Sequence, residues 1–302
     1  MIFKSKYFYF VLFSLLLANA ERVFAAACCG GAFAGTSVIA SEDKALFSAS
    51  YNYTEVVVDN VDSNGIWTKW QNHQKVKTLK IEGAHIFADR WQAGFSLPVI
   101  ERTRLNETYS GLGDIAVSTA YEYLPDWDYH PIRPKGIGFL QLIVPTGKSK
   151  ADSNVGGLDS RGNGFWALGA GTLLTKAWTN WDTSLNFEIH RSWQKEIQTS
   201  SFQGTLKPGW GGSLGFGAGY NTQAFRFGGG LTWNYEDPVQ LDTQPSTGAV
   251  ERYATAVASV GYLPNGEWTG TLSYSDQTLF GDPVNTSLGR GVAVQIQRRW
   301  SR

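Results

Sequence analysis

The sequence predicts an all-β protein, an antiparallel transmembrane β-barrel of about 12 strands. Three features of the sequence predict this fold. Apolar and polar residues alternate in segments of about ten residues, the length that a tilted membrane strand needs. Short and long connections alternate between these segments, and the chain begins with an export signal.

The composition excludes several other classes of protein. Of the 302 residues, 17% are charged and 14% are aromatic, and 34 are glycine. Few charges together with many aromatic residues suit a membrane barrel better than a helical enzyme. The formal net charge is zero and there is no long basic run, so nucleic acid is not an expected partner.

The N-terminus has the pattern of a secretory signal peptide, predicted to span residues 1–27. Lys4 and Lys6 precede an apolar stretch at residues 7–17, and small residues with A-x-A spacing follow. Signal peptides of this kind are removed on export. The alternative, a permanent helical anchor, would need a longer apolar core.

Cys28 and Cys29 are the only cysteines, and they directly follow the predicted signal. Geometry disfavours a disulfide between neighbouring cysteines. Cys28 is a candidate for lipidation, but Ala25 stands where lipoprotein sites usually have leucine. The simpler interpretation is that residues 28–43 form an exposed flexible segment. The barrel is then predicted to span residues 44–302.

The strand predicted at residues 181–193 has the clearest two-faced pattern, because successive side chains of a strand point to opposite faces. One face is mainly apolar, with tryptophan at both ends: Trp181, Thr183, Leu185, Phe187, Ile189, Arg191 and Trp193. The other face is polar throughout: Asp182, Ser184, Asn186, Glu188, His190 and Ser192. We expect the first face to contact lipid and the second to line the lumen.

The same alternation recurs along the chain. Strands are predicted around residues 47–53, 79–87, 91–99, 115–123, 136–144, 165–177, 181–193, 210–220, 225–235, 253–262, 268–274 and 292–300. The segment at 136–144 is apolar on both faces, so its orientation stays open, and the segment at 253–262 is rich in alanine. The last strand ends close to an aromatic residue, Trp300, as many outer-membrane barrels do.

The connections sort into two kinds. Short turns are predicted at residues 88–90, 178–180, 221–223 and 263–266, and long polar connections at 57–74, 102–113, 146–164, 194–208, 236–250 and 276–289. Outer-membrane barrels have short turns on the periplasmic side and long loops outside. With the N-terminus inside, every long connection lies outside. The turn at 125–134 is the exception, since it is a longer connection on the inside.

Two short motifs follow this pattern at strand ends. They are Gly111-Leu112-Gly113-Asp114 before a strand and Pro145-Thr146-Gly147 after one. The glycines free the backbone to turn, the carboxylate can accept backbone N–H groups, and the proline can end a strand at little cost. These interpretations need no direct functional role for the motifs.

Together with Leu97-Pro98-Val99, these motifs resemble those of the outer-membrane proteins of the "MetA-pathway of phenol degradation" family. The resemblance implies an outer-membrane barrel and a channel for aromatic or hydrophobic small molecules. It implies no catalytic residues.

The candidate solute-binding residues all point to the predicted lumen. They are Asp182, Asn186, Glu188, His190, Arg226 and Asn234. Such groups can bind a solute or set the selectivity of a pore. The alternative is that they fill the interior of a small barrel and satisfy one another, with Glu188 paired to Arg226.

An enzymatic alternative uses His190 and Ser192, because some outer-membrane phospholipases activate a serine with a histidine two residues away on one strand. Here that pair lies on the lumen face, whereas membrane lipid lies outside, so we predict no enzymatic activity. His73, His85 and His130 lack the spacing of a metal site. No cofactor is expected.

The prediction is therefore a channel or transporter of the cell outer membrane for small, hydrophobic or aromatic molecules. Its expected partners are membrane lipid and a small-molecule solute, and the oligomeric state stays open. The rival hypothesis is a structural or binding barrel with a closed lumen that acts through its extracellular loops.

Overall fold

The computed structural model describes residues 37–70, 73–198, 203–243 and 249–302, and within them the protein is all-β. Signal residues 1–27 and the candidate Cys28 lie outside this described part. The strands are β1 (Asp43–Val61), β2 (Trp67–Thr68), β3 (Lys75–Ala88), β4 (Trp91–Arg104), β5 (Glu107–Leu112), β6 (Ile115–Leu124), β7 (Lys135–Val144), β8 (Ala167–Ala177), β9 (Trp181–Ser192), β10 (Lys195–Gln198), β11 (Gln203–Lys207), β12 (Trp210–Asn221), β13 (Phe225–Glu236), β14 (Gln240–Leu241), β15 (Glu251–Tyr262), β16 (Trp268–Asp276) and β17 (Thr286–Ser301).

Twelve of these strands form a closed antiparallel barrel, which confirms the predicted fold class. Around the barrel the order is β1, β3, β4, β6, β7, β8, β9, β12, β13, β15, β16 and β17. The ring closes where β17 pairs with β1, from Asp43 opposite Ser301 to Val61 opposite Thr286. Closure removes the unpaired edges that an open sheet would present. Among the described residues there is no helix long and apolar enough to cross a membrane.

The two faces of β9 are as predicted. Trp181 is 56% exposed and Ile189 is 44% exposed on the outer surface, whereas Glu188 is 1% exposed inside. The other barrel strands follow the same alternation, so the outer surface is a band of large apolar side chains. Such a band suits lipid, because hydrocarbon requires apolar side chains and fully paired backbone groups.

Aromatic side chains concentrate near both ends of the strands. At the end where β1 begins, β17 ends and the short turns lie, here called the inner end, the rings of Trp181 and Tyr220 lie 4.9 Å apart. Those of Phe225 and Tyr262 lie 5.3 Å apart at the same end. At the opposite, outer end, Trp210 and Tyr235 are exposed. These two belts match the aromatic girdles of membrane barrels.

Some predicted loops contain strands. β4 and β5 form a hairpin within the predicted connection 102–113, and β10, β11 and β14 form a separate three-stranded sheet beyond the outer end. Hairpin extensions of this kind continue the wall past the apolar band, so apolar alternation does not reveal them.

The long inner turn, residues 125–134, folds back against the outside of the barrel. Lys176 Nζ donates to Asp126 Oδ2 at 2.7 Å and lies 4.5 Å from the ring of Tyr129. Trp178 Nε1 donates to the carbonyl of Pro131 at 2.9 Å. These contacts explain why this turn is longer than the other inner turns.

Residues 37–42, here called the lumen segment, lie inside the barrel and not along its edge. Ile39 is 1% exposed, and Val38 and Ala40 pack against inward-facing side chains of β6 and β7. For these residues the structure differs from the expected exposed, flexible segment. The apolar residues 38–40 lie in the lumen because packing there removes their apolar surface from water.

Candidate functional site

The candidate site is the lumen wall formed by β9, β12 and β13, where His190 lies between two carboxylates. His190 Nδ1 lies 2.9 Å from Glu188 Oε1, and Nε2 lies 3.1 Å from Glu236 Oε2. Glu188 and His190 are buried. A histidine that bonds one carboxylate at each ring nitrogen links β9 to β13 across β12, and its charged form suits the two anionic neighbours.

A glycine on the intervening strand makes this link possible. Gly211 lies opposite both His190 on β9 and Glu236 on β13. A Cβ atom at position 211 would overlap the Glu236 carboxylate and His190 Nε2. The absence of a side chain at this position therefore provides the space in which the histidine and the glutamate meet.

A second polar cluster lies near the inner end of the same strands. Arg226 donates to Asp182 through Nε to Oδ2 at 2.9 Å and through Nη2 to Oδ1 at 2.5 Å, and Asn221 Nδ2 donates to Asp182 Oδ2 at 2.7 Å. This two-point geometry is the strongest that a guanidinium and a carboxylate can adopt. Gly219 leaves room for the guanidinium, since a Cβ there would lie 2.5 Å from Arg226 Nη2.

The predicted lumen residues thus divide into two groups, and the alternative pairing of Glu188 with Arg226 is wrong. Glu188 lies opposite Ser213, which lies opposite Asn234 in the next strand, so these residues share one level with the histidine cluster. Arg226 pairs with Asn221 at the other end of β12. Asn186 lies between the two levels, opposite Gly215.

Glu236 is a lumen residue that the sequence interpretation missed. It lies on the same face of β13 as Asn234, two positions further along, so strict alternation would have placed it in the lumen. It was assigned to the long connection at 236–250 because polar residues follow it.

The histidine cluster also bears on the hydrolase alternative. Both ring nitrogens of His190 contact carboxylates, one on Glu188 and one on Glu236, and the cluster faces the lumen. A serine nucleophile needs one of these nitrogens as its base. The geometry of His190 is therefore that of a bridge between strands.

The lumen segment is bonded to the opposite part of the wall. The backbone N–H of Ile39 donates to Gln92 Oε1 at 2.6 Å, and Gln92 Nε2 donates to the carbonyl of Ile39 at 3.2 Å. Glu42 Oε1 lies 3.0 Å from Lys135 Nζ, which also lies 3.2 Å from Glu122 Oε2. These bonds hold the segment inside the lumen, against the wall formed by β4, β6 and β7 near the inner end.

A long connection, residues 145–164 and here called the outer loop, covers part of the lumen wall at the outer end. Asp114 continues the inward-facing positions of β6, and its carboxylate accepts the N–H groups of Gly147 at 2.9 Å and Asn163 at 2.6 Å. Thr146 Oγ1 donates to the carbonyl of Gly113 at 2.6 Å. The expectation that Asp114 accepts backbone N–H groups is confirmed.

Ion pairs order the outer loop from within and connect it to β10. Lys148 and Ser153 both donate to Asp159, while Asp152 accepts from Ser149 at 2.6 Å and from Lys195 at 2.8 Å. Burial alone would raise the pKa of Asp159 and of Asp152. The hydrogen bonds from lysine and serine outweigh it and hold both pKa values below the ordinary range.

Within the described part of the chain, no group of three or more His, Cys, Asp or Glu residues could hold a metal ion.

Solved structures of other outer-membrane proteins resemble this chain. The chain is similar to the crystal structure of the COG4313 outer membrane channel from Pseudomonas putida F1, with a TM-score of 0.70, 13% identity, and coverage of 90% of this chain and 100% of that chain. It also matches the Ralstonia pickettii toluene transporter TbuX, with a TM-score of 0.41, 9% identity, and coverage of 85% and 90%. No protein-family model and no curated protein sequence matches the chain.

Proposed function

We propose that the protein is an outer-membrane channel for small molecules, in which the lumen segment restricts passage. The observation that supports this most is the contrast between the two faces of the wall. The outer surface is apolar with two aromatic belts, and the lumen side holds charged and amide side chains.

The chemistry of the lumen favours small polar solutes. Asp182, Arg226 and Glu236 keep part of their charged side chains exposed at two levels, so a solute with polar groups could exchange water for them. The aromatic or hydrophobic substrates implied by the motif resemblance fit this lining less well. They are the alternative substrate class within the same proposal.

The lumen segment supports a channel that opens by local rearrangement. Neutral hydrogen bonds contribute about 1 kcal/mol each to stability, so the two bonds of Gln92 to Ile39 hold the segment only in part. The ion pair of Glu42 with Lys135 and the burial of Ile39 add to them. Its release would widen the passage without breaking the barrel wall.

The second candidate is a structural or binding barrel with a closed lumen. Two observations favour it: the lumen segment occupies part of the inner lumen, and the outer loop is bonded to Asp114 at the outer end. In that case the outer connections would perform the function and solute flux would be absent.

Conductance separates the two candidates. The mature protein is reconstituted in planar bilayers and in liposomes, and single-channel current and liposome swelling are measured with sugars, amino acids and aromatic acids of increasing size. A channel gives stepwise currents and uptake that falls with solute size. If neither the wild type nor a variant with a released lumen segment passes any solute, the channel proposal fails.

A further inference from the structure

A groove on the lipid-facing surface, near the outer end of β9, β12, β13 and β15, is not explained by a channel function. Its volume is about 590 Å³ and its lining is mainly apolar. Outward-facing side chains form its sides: Phe187, Ile189, Trp210, Leu214, Trp233 and Tyr235. We call it the outer groove.

The groove exists because one outward position has no side chain. Gly212 lies between Trp210 and Leu214 on β12, opposite Ile189 on one neighbouring strand and Tyr235 on the other. The outward positions next to Gly212 on β9, β12 and β13 have large side chains. Gly212 therefore leaves a gap in the apolar band, and aromatic rings form its walls.

A connection forms the remaining wall. Residues 277–283, between β16 and β17, bulge outward and cover Ala254, which is 1% exposed although it faces outward from β15. Arg252 fixes this bulge, with Nε donating to the carbonyl of Asp282 at 2.9 Å and Nη2 to its carboxylate at 3.1 Å. Backbone hydrogen bonds between Arg252 and Val284 close it.

Positive charge lies beside the groove, at the level of the outer aromatic belt. The guanidinium of Arg191 lies 5.3 Å from the ring of Trp210. It forms no ion pair with any residue that the structure describes. Arg252 also lines the groove, but its charge is paired with the carboxylate of Asp282. An apolar groove with a cation beside it matches a molecule with an alkyl chain and an anionic head.

We propose that the outer groove binds a phosphorylated glycolipid of the outer leaflet. One acyl chain lies over Gly212 between the aromatic walls, and a phosphate lies at Arg191. An acyl chain in the groove packs its apolar surface against the apolar surface of the protein. A guanidinium binds a phosphate through two parallel N–H donors. The proposal rests on the outer-membrane location and not on solute flux.

The inner end of the barrel provides a comparison. Arg298 also faces outward there, near the rings of Trp268 and Trp300 at 5.4 and 4.9 Å. It has a carboxylate neighbour, Glu267, at 4.0 Å. An outward arginine on tryptophan is thus common to both interfaces, but the outer groove adds an apolar site for a chain.

Native mass spectrometry of the full mature protein tests this. The probe is a multiply acylated glucosamine disaccharide with two phosphates, titrated into detergent micelles, and its dephosphorylated form is the second probe. Ile189→Trp fills the groove and Arg191→Gln removes the free cation. Ile296→Trp and Arg298→Gln make the same changes on β17, away from the groove.

We expect Ile189→Trp and Arg191→Gln each to reduce bound phosphorylated lipid about fivefold, the effect of roughly one interfacial cation or one lost chain contact. Arg191→Lys should restore most of it, and the two β17 variants should bind as the wild type does. Wild type should bind the dephosphorylated probe about fivefold less well.

Three results would overturn the proposal: equal binding by the wild type, Ile189→Trp and Arg191→Gln; equal binding of both probes; or displacement of the glycolipid by an equal concentration of phosphatidylglycerol. Arg191 is exposed, so Arg191→Gln should fold and still tests the proposal if Ile189→Trp does not fold. Conductance of Arg191→Gln should equal that of the wild type, which separates this proposal from the channel.

Discussion

The carboxylate of Asp114 accepts a hydrogen bond from the backbone N–H of Gly147 at 2.9 Å. This contact joins the Gly-Leu-Gly-Asp motif to the Pro-Thr-Gly motif. A second N–H, from Asn163, reaches the other carboxylate oxygen at 2.6 Å, so both ends of the outer loop depend on one side chain. The two motifs thus form one structural unit that holds the outer loop at the mouth of the barrel.

Asp114→Ala should release the outer loop. Two N–H groups lose a charged acceptor, which would cost about 3 kcal/mol of loop stability. We expect trypsin to cleave after Lys148 and Lys150 at least tenfold faster in reconstituted vesicles, with the barrel intact on gels. Asp128→Ala, in the exposed inner turn, is the control. Cleavage at the wild-type rate would show that Asp114 does not hold the loop.

The order of the outer loop should depend on pH. The folded pKa values of Asp152 and Asp159 lie below the ordinary value of about 3.9, so their ion pairs stabilise the loop fully above that pH. The contribution is lost as the pH falls through the lower folded values.

A spin label at Val155→Cys, with Cys28 and Cys29 replaced by serine, reports this loss as increased mobility at acidic pH. Lys148→Gln removes a partner that lowers the pKa of Asp159 and should move the transition to higher pH. An unchanged spectrum from neutral pH to about pH 2 contradicts the prediction.

Gln92→Ala should open the lumen on the inner side. It removes both hydrogen bonds to Ile39, worth about 2 kcal/mol together, which corresponds to about a thirtyfold increase in the population of the released state. We expect more frequent or larger current steps in planar bilayers. Gln295→Ala, on the lumen face of β17, is the matched control. Equal currents for both variants would mean that the lumen segment does not restrict flux.

Arg226→Gln should shift the channel towards cations. The substitution leaves the Asp182 carboxylate without its guanidinium, so the inner level of the lumen gains a net negative charge. The reversal potential in a salt gradient should move in the cation-selective direction, while Arg226→Lys should keep the wild-type value. Asp182→Asn should move it the opposite way. A common reversal potential for all four proteins argues against ion passage at this level.

Gly211→Ala should destabilise the barrel. The added Cβ would overlap the Glu236 carboxylate and His190 Nε2, so the buried His190 loses its contact with Glu236 and the bridge between β9 and β13 breaks. We expect a loss of about 3 kcal/mol, seen as a lower temperature for the heat-induced mobility shift on gels. At Gly270 nothing lies within 4 Å of a Cβ, so Gly270→Ala should be neutral or slightly stabilising. Equal transition temperatures would mean that the bridge contributes little.

The sequence was sufficient for the architecture because membrane strands follow a simple rule. Alternation at positions 181–193 predicted which side chains face lipid and which face the lumen, and connection lengths predicted which end faces outside. The inward position of Asp182, Asn186, Glu188, His190, Arg226 and Asn234 follows from this alternation.

The pairings within the lumen could not be predicted in the same way. Glu188 and Arg226 have opposite charges and share the lumen face, so pairing was reasonable, yet they lie at opposite ends of the wall. Alternation decides the face of a side chain, whereas register between strands decides its neighbour, and several registers satisfy the same alternation.

The sequence by itself determined a closed, two-faced barrel with long connections at one end, since hydrocarbon outside imposes a pattern on every strand. Only the tertiary structure decided which segments lie at the two ends of the lumen and which segment completes the wall of the outer groove. The lumen segment, the outer loop and the bulge at 277–283 are held by contacts between residues far apart in sequence, such as Ile39 with Gln92 and Arg252 with Asp282. No local pattern encodes such contacts, because they form only once the ring of strands has closed.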